Sequence, residues 1–136
     1  IMYDNILVPV SFEADRNARE AMDIAQAIRA EGGKITLLHV MEHLPQYATE
    51  YLPPDHLEKA RNDMTGGLSA LADNVDNAEV VVVEGHSART ILDYADEVST
   101  DCIVIASHRP GMQDYFLGST AARVVRHAKC AVHVVR

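Results

Sequence analysis

The run Cys102-Ile-Val-Ile-Ala106 breaks into Ser107-His108-Arg109-Pro110, and after a polar loop the chain restarts at Leu117-Gly118-Ser119-Thr120 with a helical pattern reaching Ala128. An apolar run of this kind reads as a buried strand, and the restart reads as a helix whose first turn carries one glycine and two hydroxyls. The first turn of a helix leaves backbone N–H groups unpaired, and the helix dipole favours negative charge there. Strand, loop and helix together therefore form an anion pocket, and a phosphate-bearing ligand is the first functional expectation.

Outward from this unit the same grammar repeats. Five apolar, β-branched-rich runs occur at Asn5–Val10, Lys34–Val40, Glu79–Val83, Asp101–Ala106 and Ala131–Val135. They are continuous rather than alternating, as expected of strands covered on both faces. Helical spacing fills the gaps. Ala18, Ala21, Met22, Ala25 and Ile28 share one face, with Gly32-Gly33 expected to stop that helix. Leu57, Ala60, Met64, Leu68, Leu71 and Ala72 form a second face, Ala88, Ile91, Leu92, Ala95 and Val98 a third, and Ala121, Val124, Val125 and Ala128 a fourth. Strands alternating with helices imply right-handed βαβ units and a parallel sheet. With no linker, repeat or low-complexity segment, residues 1–136 are expected to form a single domain. The one long irregular stretch, Met41–Asp55, leaves the second strand and reads equally as a ligand cover or as a surface loop.

Composition narrows the partners. A net charge of -8 argues against extended contact with nucleic acid or with an anionic membrane surface. One nucleotide held by backbone amides and a single arginine stays compatible with it. No apolar run approaches the ~20 residues that span a bilayer, and no charged-then-apolar leader is present. Cys102 and Cys130 read as free thiols of a reducing compartment, so a cytoplasmic location is expected. The last strand has no chain after it to cover its edge. An apolar edge invites pairing with a second copy, so a homodimer joined along Ala131–Arg136 is expected; the alternative is a monomer edge guarded by His133 and Arg136.

Ligands of open α/β sheets sit beyond the carboxyl ends of the strands, where strand order reverses. Those ends are Pro9-Val10-Ser11, His39-Val40, Glu84-Gly85 and Ala106-Ser107-His108-Arg109. The chain has no G-x-x-x-x-G-K-[ST] and no G-x-G-x-x-G after a strand. The first strand ends in Pro-Val-Ser, lacking both the acidic residues of a response-regulator receiver and the glycine-rich loop of a flavodoxin. His39 and His43 fall on a strand end and a loop, and no His/Cys/Asp cluster has zinc-like spacing. Neither a nucleophile elbow nor a pair of carboxylates across a cleft is evident, so no catalytic residue is named.

The segments Asn5-Ile-Leu-Val-Pro-Val10, Leu37-Leu-His-Val40, Glu84-Gly-His-Ser87, Ile103-Val-Ile-Ala-Ser-His-Arg109, Leu117-Gly-Ser-Thr-Ala-Ala122 and Val125-Arg-His-Ala128 resemble, in order and spacing, the universal stress proteins. The Ser-His-Arg-Pro wording is closest to the small bacterial F/G-type members. The resemblance implies a doubly wound five-stranded parallel sheet of order 3-2-1-4-5 flanked by four helices, and dimerisation through the fifth strand. In one branch it also implies ATP binding. That branch carries glycine, two residues, a second glycine, nine residues, then glycine followed by Ser or Thr. Here the first two positions are Ala106 and Arg109, eight residues precede Gly118, and Gly118, Ser119 and Thr120 match. Arg109 lacks glycine's close backbone approach but offers a guanidinium that can pair with phosphate. Ser11 stands where the ATP-binding members usually have Asp. The resemblance therefore places adenosine against Pro9, Val10, Ser11, Val40 and Ala106. It places the phosphates against Ser107, Arg109, Gly118, Ser119 and Thr120, with His108 a further nucleotide contact at the strand exit. The expected ligand is ATP, or ADP or AMP, with magnesium arriving on the phosphates, in a dimer or a larger assembly such as a tetramer. The expected role is a stress-response sensor or binding module. The alternatives are a nucleotide-free dimeric interaction protein and a slow ATPase or self-phosphorylating enzyme.

Overall fold

The structure is a computed structural model that describes residues 2–10, 15–42, 47, 50–106 and 118–135, with the backbone alone for 15–17. Nine elements follow one another: β1 (Tyr3–Pro9), α1 (Asp15–Ile28), β2 (Arg29–Met41), α2 (His56–Leu71), β3 (Ala78–Glu84), α3 (Ser87–Glu97), β4 (Cys102–Ala106), α4 (Ser119–His127) and β5 (Ala131–Val135). All four strand pairings are parallel and the sheet runs β3-β2-β1-β4-β5. Strand order reverses between β1 and β4, and in open α/β sheets the carboxyl ends at such a reversal are where ligands sit.

Side chains alternate across the sheet, so each strand feeds two cores. Ile6, Val8, Ile35, Leu37, Cys102 and Val104 pack on one face with Ala21, Met22 and Ala25 of α1 and Leu68 of α2. Leu7, Leu38, Ile103 and Ile105 pack on the other with Ala88, Ile91 and Ala95 of α3 and Ala121 and Val124 of α4. The three inner strands are buried on both faces through their middles, which explains their unbroken apolar runs. The edge strands β3 and β5 are mostly half-buried or exposed. Two residues expected on apolar faces lie outward instead: Leu57 is 50% and Val125 42% exposed. Leu57 sits in the first turn of α2, before that helix reaches the sheet, and Val125 lies one step past the buried Val124.

The Gly32-Gly33 pair does not end α1. The helix stops at Ile28, and Arg29 already pairs with Tyr3 while Met2 N–H donates to Ile28 O at 2.9 Å. From Tyr3 to Asn5, β1 advances two residues while β2 advances five, from Arg29 to Lys34. The surplus forms a bulge, with Gly32 at φ 76°. A Cβ on Gly33 would lie 2.9 Å from Tyr3 O and from Ala30 O, so only glycine fits that approach.

Candidate functional site

Because every strand is parallel, Pro9, Val40 and Ala106 all finish at one edge of the sheet. Helix α4 runs back from that edge, which puts its first turn there too. Gly118 caps α4 at φ -62° and ψ 156° and makes no side-chain hydrogen bond, while its carbonyl accepts from Ala122 N–H at 2.9 Å. The amides of Ser119, Thr120 and Ala121 precede that first helical bond, so the helix itself gives them no acceptor. Ser119 is exposed, and Gly118 and Thr120 are half-buried. Arg126 and His127 occupy the last turn, matching the dipole at the far end.

The adenosine-side groups are more constrained than the sequence suggests. Val10 N–H donates to Leu38 O at 2.8 Å, and Val10 O lies 2.7 Å from His39 Nδ1. A carbonyl can only accept, so Nδ1 carries the proton in that bond. The backbone donor of Val10 is thus committed, and its carbonyl is partly used. In a parallel ladder alternate residues turn their N–H and C=O to the same neighbour. Leu38 faces β1, so Val40 faces the same side, two residues on and past Pro9↔Leu38, the last β1–β2 pair. The N–H and C=O of Val40 therefore turn to the β1 side of the strand, at the carboxyl edge of the sheet. His39, half-buried and holding Val10 in place, stands in the sequence only as part of the strand end His39-Val40, with no contact of its own expected. Its one signal was its place beside Val40 at a strand end.

Ser11, Ser107, His108 and Arg109 lie outside the described residues, as do residues 43–46, 48 and 49 of the Met41–Asp55 stretch. Gly85, at φ 151°, donates its N–H to Met41 O at 3.0 Å and closes the end of β3. Arg61 Nη1 donates to Val82 O at 2.8 Å and its Nη2 pairs with Glu84 at 3.3 Å, tying α2 across that same end. Among the described residues no three of His, Cys, Asp and Glu gather as a metal site, and no helix is long and apolar enough to cross a membrane. Both cysteines are free. Cys102 packs in one core and Cys130 against the other.

An open parallel sheet with covered faces, a reversal between β1 and β4 and a helix start at that reversal defines a doubly wound α/β protein, a class whose ligands sit at the carboxyl edge of the sheet. The sequence profile of the Universal stress protein family matches residues 2–136, and the chain belongs to that family. Universal stress protein G of Escherichia coli O157:H7 is 28% identical, over 99% of this chain and 100% of the relative. Universal stress protein A homolog 2 of Coxiella burnetii is 31% identical, over 98% and 95%. Universal stress protein UspA from Lactobacillus plantarum superposes with a TM-score of 0.74 at 28% identity, covering 100% of this chain and 99% of that one. Two more distant structures share the fold. One is a universal stress protein in complex with cAMP, with TM-score 0.66, 20% identity and coverage of 100% and 99%. The other, from Archaeoglobus fulgidus, is in complex with dAMP, with TM-score 0.64, 21% identity and coverage of 100% of both chains.

Proposed function

We propose that this chain, acting as a single domain, binds an adenine nucleotide at the carboxyl edge of its sheet, ATP foremost and ADP or AMP as alternatives. The observation that carries this reading is the start of α4, where the glycine cap offers no side chain to the first amides and the helix itself gives them no acceptor. Those amides, with the Ser119 and Thr120 hydroxyls, would hold phosphate, assisted by Ser107 and the Arg109 guanidinium, with His108 a further contact at the strand exit. Adenosine would lie against Pro9, Val10, Ser11 and Ala106, with the Val40 backbone reading one donor and one acceptor edge of the base. The family structures holding cAMP and dAMP support an adenylate ligand for this fold. Magnesium would come with the phosphates, needing few protein ligands of its own.

The same reading makes the protein a cytoplasmic stress-response sensor or binding module that works as a homodimer. The two sheet edges differ in the way such a dimer requires. At β3 a carbonyl is taken by Arg61, and Glu79 pairs with Lys34 at 2.5 Å. At β5 the edge is Ala131, Val132, His133 and Val134, with no charged pair over it among the described residues. Charged side chains discourage edge pairing and bare apolar strands invite it.

Three measurements test the nucleotide reading: mass spectrometry of gently purified protein for co-purified nucleotide, and calorimetry and thermal melts with ATP, ADP and AMP. Binding of at least one is the expected result. No heat and no melting shift at millimolar concentrations would leave the protein as a nucleotide-free interaction module.

A further inference from the structure

At the amino edge of the sheet, opposite the proposed nucleotide site, lies a cavity of about 110 Å³. It sits where the chain leaves α3 to enter β4 and leaves α4 to enter β5. Its apolar wall is Leu92 and Ala95 from α3, Ile103 from β4 and Ala128 after α4. Its polar wall includes Thr100, which is only 9% exposed. Thr100 Oγ1 is the single buried side-chain polar atom among the described residues with no hydrogen-bond partner. A buried hydroxyl left unpaired costs free energy, and a molecule that hydrogen-bonds to it recovers that cost.

The wall that carries this hydroxyl is fixed. Thr100 N–H donates to Ala95 O at 2.9 Å, and Asp101 N–H donates to Asn5 O at 2.9 Å. The Asn5 amide donates to Val98 O at 2.6 Å, and Ser99 sits at φ 58° between them. The turn cannot swing Thr100 out to solvent without breaking these bonds. The electrostatics select against charge. At the exposed rim Lys129 and Asp96 neutralise each other at 3.5 Å. Burial pushes the Cys130 thiol up, so that wall is neutral as well.

We propose that this cavity binds a small neutral amphipathic molecule whose hydroxyl or carbonyl group pairs with Thr100 Oγ1. An apolar cavity of about 150 Å³ holds benzene, so the space here suits a body of about four to six non-hydrogen atoms. The site is separate from the proposed nucleotide crevice, because no residue of the carboxyl edge lines it.

The test uses the whole chain, ¹⁵N-labelled, titrated with isobutanol and, separately, with isobutyrate and isobutylammonium as charged probes of the same shape. Isobutanol should shift the amides of Ala95, Thr100 and Cys130 saturably, and the charged probes should not. Isobutanol should also slow alkylation of Cys130 by a small maleimide in the unmutated protein, read by mass spectrometry. Thr100→Val keeps the shape and removes the hydroxyl, so it should weaken isobutanol binding about fivefold. Shifts that grow linearly without saturation, as expected if the cavity merely exchanges water, would overturn the proposal. So would unaltered alkylation, equal binding of isobutyrate, or undiminished affinity in a folded Thr100→Val.

Discussion

Gly118 has backbone angles open to any residue, so what matters is its missing side chain rather than its conformational freedom. An aspartate in that place would cap α4 from its own carboxylate and fill the anion seat with fixed negative charge. Gly118→Asp should therefore leave the melting temperature unchanged or raised while ATP affinity falls at least tenfold, by calorimetry beside a thermal melt. An unchanged affinity would remove α4 from the site. Cys102 offers a second residue-scale test. Burial pushes its thiol up from 9.0 to about 11. Between these values the unfolded chain gives up the proton and the folded chain keeps it, so this group's stabilisation is complete below about pH 9 and fades as pH rises toward 11. The stability of the unmutated protein should drop more steeply across that window than that of Cys102→Ala, as measured by urea melts at stepped pH. Parallel curves would show that the thiol titrates alike in the folded and the unfolded chain, so that burial does not push it up.

At the scale of elements, the join between β1 and the turn before β4 depends on one carboxylate. Asp101 accepts from Asp4 N–H at 2.8 Å and from Asn5 N–H at 3.1 Å. Hydrogen bonds to charged acceptors contribute about 1.5–3 kcal/mol where water is excluded, and one of these two is exposed. Asp101→Ala should cost about 2 kcal/mol in urea denaturation. A loss within error would mean that water replaces the carboxylate. The inner strands and all four helices were legible from their periodicity, because burial on two faces or one imposes distinct patterns. The glycine pair 32–33 was misread for a physical reason. Glycines that stop a helix and glycines that let a bulge approach a neighbouring strand look alike in one dimension, and only the contact with Tyr3 O tells them apart.

For the whole molecule, the consequential feature is the difference between its two edges. A two-fold antiparallel pairing of β5 across its full length, Ala131–Val135, would set His133 against its own copy. Sedimentation should give about twice the chain mass of 14.9 kDa. His133→Lys would set two ammonium groups opposite each other and should shift the equilibrium toward monomer, since like charges directly opposite on paired strands destabilise them. A monomer in both proteins, or a dimer indifferent to the substitution, would place the contact elsewhere.

The sequence by itself determined the number and type of inner elements, the parallel sheet, and the helix start that could receive an anion. Each of these follows from local pattern: which residues must be buried, which cap a helix, and which free backbone groups a helix start exposes. The tertiary structure alone decided the commitment of Val10 to Leu38 and His39, the turn of Val40's donor and acceptor to the β1 side, the bulge at Gly32-Gly33 and the cavity beneath Thr100. These depend on register and on which segments distant in the chain meet. A hydrogen-bonding group's availability is set by its neighbours in space, and periodicity along the chain carries no record of them.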